Sequence, residues 1–178
     1  MEIVIILGLI FLNGILSMSE IAMVSARKSR LETAAKKGSK TAKTALRLAN
    51  EPDRFLSTIQ IGITLIGILT GLYSGEALAG DLARWLETIG IPQAHSLTLA
   101  KGIIVILVTY LTLILGELVP KHLGMNAPEK IARLIARPME VLSKIASPFV
   151  WLLSASTQAV IRLTGLHAST ENKVTEEE

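Results

Sequence analysis

The sequence predicts an all-α integral membrane fold: three transmembrane helices, a juxtamembrane helix on the cytoplasmic side, and a proline-broken helical hairpin that is interfacial or re-entrant. Three observations carry this. Half of the 178 residues are apolar and only 19% are charged, against about 25% in a soluble domain. Aromatic residues make up only 4%, so the apolar excess is aliphatic, which suits helices packing in lipid. Charges are also missing from three long runs, each close to the ~20 residues needed to cross a hydrocarbon core about 30 Å thick.

The first span covers residues 3–26; no residue from 3 to 19 is charged, and Glu20 is the only charge between Glu2 and Arg27. No basic stretch precedes it and no small-residue cleavage pattern ends it, so it reads as a span and not a signal peptide. Residues 27–54 carry nine basic side chains against three acidic ones, a net +6. They are rich in Ala, Lys, Arg and Leu, which predicts a helix broken at Gly38 and lying on an anionic membrane surface, each basic residue contributing about 1 kcal/mol. No stacking aromatics accompany these charges, which argues against nucleic acid.

The second span covers 55–79, an external loop 80–96, and a third span 97–123, with Lys101 at one interface and Glu117 inside. Lysine and arginine in excess mark the cytoplasmic side. The N-terminus therefore faces outside, the basic segment is cytoplasmic, and the chain returns inside near Lys121. Residues 139–164 are apolar but contain Pro148, which lacks an N–H and clashes with the preceding turn; two short arms about Pro148 are expected, with a full fourth span as the alternative. Domain 1–165 is followed by an acidic cytoplasmic tail or linker, 166–178.

Function is sought where polar groups interrupt the spans. Asn13, Ser17 and Glu20 follow i, i+4, i+7 and share one helix face, with Gly14 beside them: an amide oxygen, a hydroxyl and a carboxylate, or helix–helix hydrogen bonds with Gly14 permitting close approach. In the third span Pro120 cannot donate to the Gly116 carbonyl, which is freed beside Glu117. An ionised carboxylate at membrane depth usually marks an ion or proton path; the alternative is a Glu117–Lys121 pair stabilising orientation only. Gln60 and Thr64 offer further oxygens on the second helix. Gly67, Gly71 and Gly75 form a small-residue ridge for close helix packing, within the protomer or across a two-fold axis.

No cysteine is present, which removes disulfides, thiolate metal sites and cysteine nucleophiles. His95, His122 and His167 are too far apart in sequence for a local metal motif. The donors are all oxygen, which suits magnesium or calcium over soft metals, and sodium shares that ligand type. Absence of a Walker motif, catalytic triad or glycine-rich phosphate loop leaves no support for ATP-driven transport or for an enzyme.

The pattern Asn13-Gly14-x-x-Ser17-x-x-Glu20, continuing through Ala22, Ser25, Arg27 and Arg30-Leu31, resembles the first helix of the CNNM/CorC magnesium transporters. Ile59-Gln60-x-Gly62-x-Thr64-Leu65, Gly116-Glu117-Leu118-Val119-Pro120-Lys121 and Pro128-Glu129 extend the likeness. The resemblance implies a homodimeric domain in the cell (inner) membrane that exports magnesium with sodium as the coupling ion. It implies a cation site at Asn13, Ser17, Gly116 and Glu117, with Gly14, Glu20, Gln60 and Thr64 as further candidates for the metal or coupling ion. It also implies a cytoplasmic pair of CBS modules in the full-length chain, absent from these residues. Two alternatives stay open: a membrane scaffold or regulatory subunit that binds magnesium without moving it, and a passive cation channel.

Overall fold

The computed structural model describes residues 1–163; the expected tail at 166–178 lies outside them. The described residues form helices joined by short turns, with no strand among them. Helix α1 (Glu2–Ser25) has 24 residues, which at 1.5 Å per residue is about 36 Å, enough to cross the hydrocarbon core. Helices α2 (Lys28–Lys36) and α3 (Lys40–Asn50) carry the basic segment. They are parted at Gly38, whose φ of 91° is a conformation that glycine adopts at no steric cost. Ser39 then caps α3, its hydroxyl accepting from the Ala42 N–H at 3.3 Å.

Helix α4 (Pro52–Thr88) has 37 residues, with Pro52 and Asp53 in its first turn. The third span is a continuous rod from Gln93 to Asn126. It is built of α5 (Gln93–Leu113), a π-helical turn (Ile114–Leu118) and α6 (Val119–Asn126). Helices α1, α4 and this rod are long and apolar enough to cross a membrane. Both later spans exceed the lengths expected, so the loop predicted at 80–96 contracts to residues 89–92. Asp81, Arg84 and Glu87 prolong α4 because a charged helix end is stable in water. Ser96 donates to Glu87 at 2.8 Å across the turn.

The hairpin expected at 139–164 is not there. Helix α7 (Pro128–Leu163) runs unbroken through Pro138 and Pro148. The reason is its other face: Ala132, Ile135, Ala136, Met139, Ser143 and Ala146 are buried at helical spacing, a stripe that a break would pull apart. Ser147, next to Pro148, is held by Arg54, whose guanidinium donates to its hydroxyl at 3.1 Å. Ion pairs attach the basic helices to α7: Arg30 to Glu129 at 3.6 Å, and Arg47 to Glu140, which Lys144 also reaches at 3.1 Å.

Two apolar clusters result. One joins Leu16, Met23, Leu31, Ala45, Phe55, Ile59 and Met139 at the basic end. The other joins Ile6, Ile10, Ala83, Leu86, Ile104 and Val108 at the opposite end. Outward positions such as Phe11, Leu72, Ile106 and Leu107 are large, apolar and exposed, as a lipid-facing surface requires.

Candidate cation site

The stretch of α1 between Ile10 and Leu16 separates the two apolar clusters, and polar residues interrupt the helix there. Asn13 and Gly14 sit at its midpoint, about 18 Å from either end. The helix face predicted from Asn13, Ser17 and Glu20 turns toward the π-helical turn and α6. Backbone approach is close. A Cβ on Gly14 would lie 3.0 Å from Pro120 Cγ and 3.2 Å from the Leu115 carbonyl oxygen; one on Gly116 would lie 3.2 Å from that of Ile10. Gly14 and Gly116 are therefore where two helices cross, and Gly14, a candidate ligand by sequence, serves as a contact surface.

Pro120 explains the π turn. With no N–H at 120, the Gly116 carbonyl loses its ordinary helical donor. The Val119 N–H bonds five residues back to the Ile114 carbonyl, the π spacing. The freed Gly116 carbonyl does not stand open as expected: the Asn13 Nδ2 donates to it at 3.0 Å across the helix crossing. This bond fixes the amide's orientation, since the opposite flip would set two oxygens face to face.

That orientation leaves the Asn13 carbonyl oxygen elsewhere. Asn13 Oδ1 and Ser17 Oγ are buried and have no hydrogen-bond partner among the described residues. Asn13 is 3% exposed and Ser17 0%. Residues four apart on a helix are neighbours, so both oxygens belong to one face of α1 near the middle of a membrane span. Leaving such groups unpaired costs roughly 1–3 kcal/mol each. Ser19, two residues further on and equally buried, avoids this by donating to the Ile15 carbonyl at 2.6 Å.

Toward the basic end, Glu117 is not a free carboxylate but forms the pair with Lys121 that the sequence offered as the alternative. Lys121 Nζ lies 2.8 Å from Glu117 Oε1 and 3.6 Å from Glu20 Oε2. One ammonium thus bridges two carboxylates from different spans. Gly124 extends the crossing: a Cβ there would meet Ile21 Cγ2 and come within 2.8 Å of the Met18 carbonyl oxygen.

The structure brings Asn13, Ser17 and Gly116 together and links Glu117 to Glu20 through Lys121. It does not add Gln60 or Thr64, which are exposed on α4 and bond to nothing in this group. Gly67, Gly71 and Gly75 make no close helix contact in the protomer, since an added Cβ meets no atom within 4 Å at any of them; Gly67 and Gly71 border an open groove against Val105 and Val108. In their place Gly62 makes the α1–α4 contact, its Cβ direction 2.7 Å from Leu16 Cδ1. Sequence reading passed over Gly124 and the Glu20–Lys121 contact. The spacing Gly116, Pro120, Gly124 could have found the first; nothing local signals the second.

Three membrane-length helices crossing at small residues, with unpaired oxygens buried at the crossing, define a multi-pass helical membrane protein. The chain belongs to the family described as the cyclin M transmembrane N-terminal domain (CNNM), which it matches over residues 4–178. It is 47% identical over its full length to UPF0053 protein sll0260 of Synechocystis sp., covering 40% of that protein. UPF0053 protein YhdT of Bacillus subtilis is 32% identical over 92% of this chain and 36% of its own length. The polyamine export protein of Escherichia coli is 29% identical over 99% of this chain and 39% of its own. The chain thus spans about 40% of the length of the relatives it matches.

Proposed function

We propose that this chain is the membrane domain of a secondary-active transporter that binds a dehydrated magnesium ion at an all-oxygen site and exports it with sodium as the coupling ion. The observation that carries the reading is the buried, unpaired pair Asn13 Oδ1 and Ser17 Oγ. Oxygen lone pairs without a hydrogen-bond donor suit a cation, which takes the place such a donor would otherwise fill. The Gly116 carbonyl has a second lone pair beyond the one that Asn13 engages, and Glu117 supplies charge. Four such donors leave room for water in an octahedral shell, in keeping with magnesium's reluctance to dehydrate fully.

Charge distribution supports a cell-membrane orientation with the N-terminus outside and the basic helices in the cytoplasm. The exposed positions Gln60, Thr64, Gly67 and Gly71 on α4 support a homodimer, because polar and glycine positions facing lipid are poor solvent contacts. Gly71→Leu is expected to abolish crosslinking between copies; a dimer unaffected by it uses another face.

The test of transport is magnesium flux in proteoliposomes, with Ser17→Ala and Glu117→Ala expected to abolish it. Unchanged flux in both variants overturns the reading, and binding without flux favours a non-transporting scaffold. Organic polycations are a second reading, favoured by the Lys121 ammonium held between Glu20 and Glu117 and by the name of the Escherichia coli relative. Diamine flux that outpaces magnesium flux would select it.

A further inference from the structure

We propose that Lys121 is a tethered cation that occupies the carboxylates of the transport site and must be displaced when the cargo binds. This rests on the cation reading given above. The two carboxylates come from helices far apart in sequence, Glu20 on α1 and Glu117 in the π turn, and Lys121 Nζ reaches both. Glu20 lies three residues beyond Ser17 on the same face of α1, and Glu117 follows Gly116, whose carbonyl Asn13 holds. The ammonium therefore neutralises groups contiguous with the unpaired oxygens.

The neighbouring oxygens divide into two kinds. Glu20, Glu117 and the Gly116 carbonyl are engaged by the protein's own N–H groups. Asn13 Oδ1 and Ser17 Oγ are not, and no donor among the described residues reaches them. A lysine has three N–H donors and a long flexible stem, so it can leave Glu117 while keeping Glu20 or water. A divalent ion drawn to Asn13 Oδ1 and Ser17 Oγ acquires Glu117 only as Lys121 withdraws, because the two cations repel at such range. When the ion departs, Lys121 returns and opposes rebinding. Lys121 thus sets both affinity and release.

The experiment titrates magnesium against the thermal stability of the purified chain and measures flux at saturating magnesium. Lys121→Gln is expected to lower the half-maximal magnesium concentration about tenfold, the removal of a competing unit charge, and to slow turnover. Lys121→Arg keeps the charge and is expected to stay within about twofold of the parent. A purely structural ion pair would cost stability in both the presence and absence of magnesium without moving the half-maximal concentration, and that result overturns the proposal. Should Lys121→Gln not fold, Lys121→Gln with Glu20→Gln restores the net charge; unchanged magnesium dependence there also overturns it. If the parent shows no magnesium protection and neither variant does, the magnesium reading and this inference fall together. Protection in the parent that Lys121→Gln leaves unaltered removes the inference alone; protection seen only in Lys121→Gln supports it.

Discussion

Ser17 and Ser19 are the same residue type on the same helix, both 0% exposed, and differ in whether the hydroxyl is bonded. Replacing Ser17 by alanine removes an unpaired buried hydroxyl, relieving roughly 1–3 kcal/mol. Alanine adds about 0.5 kcal/mol of helix propensity. The lost oxygen leaves a void of about 15 Å³, costing about 0.4 kcal/mol at 24 cal/mol per Å³. The ion-free protein is therefore stabilised by about 1–3 kcal/mol. Ser19→Ala instead gives up a bond to the Ile15 carbonyl, a net loss of about 0.5–1.5 kcal/mol that propensity only partly offsets. Thermal melts of the purified variants with and without magnesium should rank Ser17→Ala above the parent and Ser19→Ala at or below it in the absence of the ion. Magnesium should protect Ser19→Ala and fail to protect Ser17→Ala. A Ser17→Ala protein that melts lower than the parent without magnesium refutes the claim that its hydroxyl is unsatisfied.

Gly124→Ala should destabilise by about 1–2 kcal/mol, overpacking against the Met18 carbonyl exceeding the gain in helix propensity, whereas Gly67→Ala, with open space around it, should be neutral or stabilising in the monomer; comparative melts decide. Pro120→Ala supplies an N–H for the Gly116 carbonyl in competition with Asn13 Nδ2, so magnesium protection should weaken while ion-free stability holds or rises by up to about 3 kcal/mol, as read by the same titration. Glu140, outside the spans, is held below its ordinary value by its hydrogen bond with Lys144 and then by Arg47. Stability from a lowered carboxylate is present above the ordinary glutamate value of about 4.3 and is lost as pH falls through the folded value. Hydrogen exchange in α3 should therefore quicken below about pH 4, and Glu140→Gln should remove that step.

The spans were legible because charge is expensive in lipid: the runs around Ile6, Ile66 and Ile106 need no partner to be recognised. Gly38 and Pro120 were legible because each removes a local option, a conformation in one case and a donor in the other. What replaced the missing donor was not legible, since the Asn13 side chain lies 103 residues from Gly116, and pairing across such distance leaves no periodic trace. The same holds for Glu20 and Lys121. Pro148 misled for a different reason: a proline states the local cost of a helix, not what the buried stripe from Ala132 to Ala146 gains by continuing. Gly67, Gly71 and Gly75 signalled a close contact without saying with whom.

In the third span the buried positions Ser96, Ala100, Ile104, Val108, Gly116, Pro120 and Gly124 all fall on one repeat of four. At 3.6 residues per turn such a repeat advances about 40° at each step, so the contact line winds around the rod like a screw thread. Its outer half meshes with α4 and its inner half with α1. A twist of the rod imposed by α4 near Ala100 must arrive at α1 near Gly124, except where the wider π turn takes it up. Asn13 grips the rod at that turn, at the one place where the thread can slip.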